Sequence, residues 1–193
     1  MNKIVFCLII GIMAAVAASV YSDSVAADIA SGVVRLHIIA NSDSEEDQAA
    51  KLAVRDAIIG AQRRGEIDSL SDAADIAGEV LADRGCTYSA IVTRGRYYFP
   101  TKEYKNVRMP AGMYDAVRVI LGSGGGRNWW CVMYPPLCFT EECTGELSED
   151  GEEILRGSVH DESADVITGS GAEIEMKFKL VEVVQKAKEK YFS

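Results

Sequence analysis

The chain begins with an uncharged apolar run over residues 4–20, with Lys3 ahead of it and the small residues Ser24-Val25-Ala26 behind it. A basic residue, an apolar stretch and a small-residue cleavage site are the parts of a secretory leader, and the run is also close to the length that spans a bilayer. Residues 1–26 are therefore expected to be a signal peptide or an N-terminal anchor that engages a membrane or the secretion machinery. The remaining chain is expected to lie outside the cytoplasm.

Past the leader, residues 33–40 (Val-Val-Arg-Leu-His-Ile-Ile-Ala) are short, β-branched and apolar, the pattern of a buried strand. The polar quartet Asn41-Ser42-Asp43-Ser44 ends that strand and offers side-chain oxygens to cap a helix, with Glu45, Glu46 and Asp47 suited to the positive end of its dipole. Ala50, Val54, Ala57, Ile58 and Ala61 then recur at helical spacing, and Gly65 closes the helix. Ser69 or Ser71 can cap a second, alanine-rich helix that stops at Gly85.

Residues 86–99 and 114–121 are rich in β-branched and aromatic residues, and Val117, Val119 and Leu121 share one face of the second run. The prolines at 100 and 110 place ordered loops between these two strands. Residues 122–126 (Gly-Ser-Gly-Gly-Gly) predict a tight turn into a strand over 128–134, so the last two strands are expected to pair as a hairpin. Ile174, Phe178, Val181, Val184 and Ala187 predict a C-terminal helix, with Lys186, Lys188 and Lys190 in its closing turns.

The sum is an α+β fold around one core: about four strands in a mainly antiparallel sheet, helices on one face, and an N-terminal signal segment. The expected organisation is a signal peptide or N-terminal anchor over 1–26, an α+β domain over 27–140, an acidic flexible segment over 141–172, and a helix over 173–193 docking on the domain. The third of these follows from charge. Residues 141–175 hold twelve acidic residues against the single Arg156, whereas residues 27–140 hold fourteen acidic against thirteen basic. Few large apolar residues and several glycines make the acidic stretch read as mobile. Scattered rather than clustered Lys and Arg argue against nucleic-acid binding.

No residue stands out as catalytic. A serine triad needs a base within reach of its nucleophile, but His37 falls mid-strand and His160 in the acidic stretch. With Cys7 set aside in the leader, Cys86, Cys131, Cys138 and Cys143 remain in an exported chain, and a Cys131–Cys138 disulfide is a simpler reading than a nucleophile or a zinc site without a short C-x2-4-C pair. Asp43, Glu45, Glu46 and Asp47 lack the spacing of a calcium loop and read as helix capping; no metal and no cofactor is expected. The glycine run is followed by a strand, not by the helix a phosphate cradle requires. Trp129 and Trp130 are adjacent, so in a strand they face opposite ways, and one of them is a candidate interface anchor.

Several blocks resemble the stage II sporulation protein R family. They are Leu36-His37-Ile38-Ile39-Ala40-Asn41-Ser42-Asp43-Ser44 with Asp47-Gln48, Lys51 and Arg55-Asp56; Phe99-Pro100-Thr101-Lys102; Pro110-Ala111-Gly112 with Tyr114 and Ala116-Val117; and Asn128-Trp129-Trp130-Cys131-Val132 with Pro135-Pro136-Leu137-Cys138-Phe139. His37 departs from the Arg that the resemblance leads one to expect. The resemblance implies a non-enzymatic signal made in the forespore and secreted into the space between the forespore and mother-cell membranes. There it would activate a membrane-embedded aspartic-type protease that processes pro-sigma-E. An exported hydrolase using a cysteine or histidine is the alternative. The partner surface is expected over residues 99–139, with Trp129 or Trp130 as anchor among Phe99, Tyr114 and Phe139, and with Cys131 and Cys138 bracing the loop.

Overall fold

The computed structural model describes residues 2–104, 107–135, 149–169 and 171–192. Along the chain run α1 (Lys3–Gly32), β1 (Val34–Ile39), α2 (Glu45–Arg64), α3 (Leu70–Asp83), β2 (Ala90–Phe99), β3 (Lys102–Tyr104), β4 (Val107–Met109), β5 (Gly112–Leu121), β6 (Asn128–Tyr134), α4 (Glu149–Ser158), α5 (Asp161–Thr168) and α6 (Ala172–Phe192). They fall into two compact units rather than the single core expected. A sheet unit takes residues 33–97 and 114–145, and a helical unit takes residues 1–32, 98–113 and 146–193.

The sheet has the order β2-β5-β1-β6. The expected β5–β6 hairpin does not form, because β1 lies between those strands, parallel to β5 and antiparallel to β6. Leu36, Ile38 and Ala40 are fully buried, and an inner position satisfies the β1 backbone on both sides. The glycine-rich connection therefore crosses the end of β1: the Gly125 and Gly126 N–H groups donate to the carbonyls of Asn41 at 3.1 Å and Ala40 at 2.9 Å. A Cβ at Gly126 would collide with the Ser42 backbone.

Both helices of this unit cover one face of the sheet. Ala50, Val54 and Ile58 of α2, with Ala77 and Leu81 of α3, share a core with Leu36, Ile38, Val117, Val119 and Leu121. Their termini follow the sequence: Ser44 caps α2, and Gly65 closes it in the left-handed region at φ 69°. Ser69 and Asp72 form a reciprocal capping box at the start of α3.

In the helical unit, the second half of α1 packs against α5 and α6, and β3 pairs with β4 in a short hairpin where only loops were expected. Its buried residues include Val25, Ile29, Met109, Leu155, Phe178 and Val181. Within the acidic stretch, whose composition suggests a flexible segment, the described residues 149–169 are largely helical. They contain α4 and α5, and Leu155, Ala164, Val166 and Ile167 are buried there, enough apolar surface to anchor two short helices. Residues 141–148 and 170 lie outside the described residues.

Glu182 of α6 is buried and accepts from Thr101 Oγ1 at 2.6 Å, Lys186 Nζ at 2.8 Å and Lys179 Nζ at 2.8 Å. Burial pushes its pKa up, but these donors outweigh burial and hold it at about 2, below the usual 4.5. A depressed carboxyl pKa stabilises the fold above pH 4.5 and loses that contribution as the pH falls toward 2. In a thermal-melt series over pH, Glu182→Gln is expected to melt below wild type at pH 7, with the gap closing in acid. A second series tests the glycine crossover. Gly126→Ala should lower the melting temperature, whereas Gly78→Ala, whose added Cβ meets nothing in α3, should raise it through helix propensity, by roughly 0.5–1 kcal/mol of stability.

Candidate functional site

The polar residues after β1 converge on one corner of the sheet unit. Asp47, in the first turn of α2, accepts from Ser42 Oγ at 2.5 Å, Tyr88 OH at 2.5 Å and Asn41 Nδ2 at 2.9 Å. Those bonds, the one from Ser42 foremost, hold its carboxyl below the usual range. Asn41 Oδ1 accepts the Ser123 N–H at 2.9 Å, and Asp43 Oδ1 accepts the Arg127 N–H at 2.8 Å. The buried Lys51 donates to Gln48 Oε1 at 2.7 Å and to the Arg127 carbonyl at 3.2 Å, and burial lowers its pKa. This network ties the β1–α2 turn to the β5–β6 crossover. Among the described residues, no three of His, Cys, Asp and Glu come together as a metal-ligand set.

Trp129 and Trp130 do face opposite ways, and each has a cover. Trp129 is half-buried on the helix side, where the Arg55 guanidinium lies 5.4 Å from its ring centre. Trp130, also half-buried, stacks on His37 with centroids 3.6 Å apart and the planes 16° from parallel. Phe99 and Tyr114, expected at the partner surface, are 0% and 1% exposed, so neither presents its ring to a partner. They are core residues because each points inward from its strand; the guanidinium of the buried Arg35 lies 5.1 Å from the Tyr114 ring centre, and its Nε donates to the Cys131 carbonyl at 2.9 Å. Cys131 is disulfide-bonded. Its expected partner Cys138, like Phe139, lies outside the described residues.

Tyr134 was not singled out from the sequence, yet it is the exposed aromatic of β6, at 54%. It borders an open hollow of about 370 Å³ lined in part by Val34, Leu70, Arg94, Val117 and Met133. Its place at the end of the strand, just before the proline pair, was the available signal.

The histidines differ. His37 Nε2 lies 2.8 Å from Asn128 Oδ1, and its cross-strand neighbours are Trp130 on β6 and Arg118 on β5. Burial, opposed by the Asn128 bond and helped by the Arg118 charge, lowers its pKa from 6.5 to about 4. In the helical unit, His160 Nδ1 is 2.5 Å from Asp28 Oδ1 and the His160 N–H donates to Asp28 Oδ2 at 2.9 Å. The Asp28 carboxylate raises the His160 pKa. Among the described residues no hydroxyl or thiol bonds the other ring nitrogen of His160. The pair ties the start of α5 to α1.

The family model described as stage II sporulation protein R matches residues 30–144, more than half of the chain. The chain belongs to the stage II sporulation protein R family. The match takes in all four strands of the large sheet with α2 and α3. The stage II sporulation protein R of Bacillus subtilis (strain 168) is 39% identical over 133 residues, which cover 62% of this chain and 59% of that relative. The matched span is thus less than two thirds of the relative's own length. No solved structure matches the chain. The residues before α2 on which the resemblance rests are those of the polar corner, and those in β6 include the two covered tryptophans.

The depressed His37 pKa sets a pH dependence. A neutral ring favoured by folding contributes stability above pH 6.5, and this contribution is lost as the pH falls toward 4, where the unfolded chain takes up a proton that the folded one resists. Urea titrations between pH 7 and 4 should show wild-type stability declining more steeply than that of His37→Gln; parallel curves would remove this role for His37.

Proposed function

We propose that the protein is an exported, non-catalytic signal of endospore formation: made in the forespore, it activates a membrane-embedded aspartic-type protease of the mother cell, which then processes pro-sigma-E. The observation that carries this reading is the family match over the whole strand system. Two further features support it. The most apolar 18 residues of the N-terminal helix have a mean hydropathy of 2.6, consistent with a signal segment. The described histidines are engaged in holding the fold, His37 under Trp130 and His160 on Asp28.

The contact surface we assign is the end of β6, where Tyr134 stands exposed beside the hollow, in place of the buried Phe99 and Tyr114. An exposed aromatic at the rim of a hollow lined by both apolar and polar side chains, Val34 and Met133 beside Arg94 and Asp68, suits a hot-spot contact better than a ring already stacked within the unit.

A second reading, an exported hydrolase, is favoured by one observation: Asp28 and His160 have the spacing of an orienting carboxylate and a general base. One experiment separates the two. Cells lacking the protein should accumulate pro-sigma-E, and forespore expression of the wild-type gene should restore processing. Under the signalling reading, His160→Ala restores processing as well as wild type, while Tyr134→Ala, with an unchanged melting temperature, restores about tenfold less. Loss with His160→Ala in a folded protein would favour the hydrolase, and processing that never fails without the protein would refute the proposal.

A further inference from the structure

α1 is one unbroken helix with two different surfaces. Over its first part the apolar side chains stand exposed, from Ile4 at 72% to Val20 at 63%. From Ser22 onward one face turns inward: Ser22, Val25 and Ile29, spaced three and four residues apart, are buried, with Val25 at 5%. The change begins at the half-buried Ala18 and Ser19 and is complete at Ser22.

The buried part is integral to the helical unit. Ser22 Oγ donates to the Val181 carbonyl at 3.5 Å, and Gln185 Nε2 donates to Ser22 Oγ at 3.2 Å and to Asp23 Oδ1 at 3.0 Å. Lys188 Nζ bonds the other oxygen of Asp23, and Asp28 holds the start of α5 through His160. The backbone of Gly32 approaches Ser158 at the end of α4 too closely to admit a Cβ. A cut after Ala26 would fall inside this packed helix and would remove Ser22, Asp23 and Val25 from the unit that they help to build.

We infer that the N-terminal helix is not a disposable leader but a retained membrane anchor, whose first part spans the bilayer while its second part is a core element of the helical unit. The occupant of the exposed surface is lipid. Residues 4–20 form an uncharged stretch of 17 residues, which at about 1.5 Å per residue is near the lower limit for spanning a hydrocarbon core. The only charge ahead of Asp23 is Lys3, at the end that the positive-inside rule keeps in the cytoplasm, so the rest of the chain emerges on the outer side. Tyr21, between the exposed and packed parts, stands where aromatic residues favour the interface. The helix continues into the packed part without a break, so the helical unit sits at the bilayer surface rather than on a long tether.

This inference rests on the packing of α1 and on no partner, so its test reads mass and extraction instead of sigma-factor processing. The full-length chain, tagged at its C-terminus, is expressed in a bacterium with an active signal peptidase, and its membranes are washed with alkaline carbonate. The expected result is an intact chain, residues 1–26 included, that stays in the carbonate-resistant pellet. A soluble protein starting at Ala27, a cut product in either fraction, or an intact chain released by carbonate would each overturn it.

Discussion

The constraint on which the sheet unit depends is the burial of β1. Leu36, Ile38 and Ala40 are fully enclosed, and a strand so apolar cannot lie at a sheet edge, where its backbone and side chains would meet water. Placing it inside requires a neighbour on each side, and these neighbours are β5 and β6 with opposite senses. Once they flank β1, the chain between them must pass over its end. That crossing needs a backbone able to approach Ser42 without a Cβ, which Gly126 provides. The polar corner follows in turn. Backbone groups brought together at the end of β1 need partners, and Asn41, Asp43 and Ser44 supply them while starting α2.

The residues on which the resemblance rests are thereby given structural work. Asn41, Ser42, Asp47, Gln48 and Lys51 lock the corner, and Arg55 covers Trp129. A sequence pattern of this kind marks the fold strongly and a contact surface weakly. For that reason the signalling surface is sought at a residue with little structural duty, and Tyr134 meets that description better than either tryptophan.

Local signals in the sequence were reliable and non-local ones were not. Ser44, Gly65 and the Ser69–Asp72 pair terminate helices where their chemistry says they should, because a cap is decided within four residues. The strands themselves, the helices on one face and α6 followed from periodicity in the same way. The β5–β6 hairpin failed because a glycine-rich turn specifies that the chain reverses, not which strand fills the space between the arms. The helices within the acidic stretch were not legible for a related reason. The average composition of the stretch is that of a mobile segment, but Leu155, Ala164, Val166 and Ile167 are placed so that each buries a side chain, and averaging conceals the placement. At the candidate site, alternation put the tryptophans on opposite faces correctly. Their exposure was not legible, since Arg55 and His37 come from other elements.

The same limit explains why the sequence of α1 leaves a cleaved leader and a retained anchor both open. Hydropathy and the small residues Ser24-Val25-Ala26 satisfy the description of a cleavable signal, and nothing in the segment itself says that Gln185 and Lys188 of α6 will hold Ser22 and Asp23. If the protein is the proposed signal, retention of α1 changes what kind of signal it is. A freed domain dilutes into whatever space receives it, whereas one held at the bilayer surface by a continuous helix is confined to a layer a few nanometres deep. Confinement raises its effective concentration for any partner at the facing membrane and makes encounter depend on the gap between the two. Proximity of membranes then becomes part of the signal, and a modest contact such as that offered by Tyr134 can suffice where free diffusion would demand a larger interface.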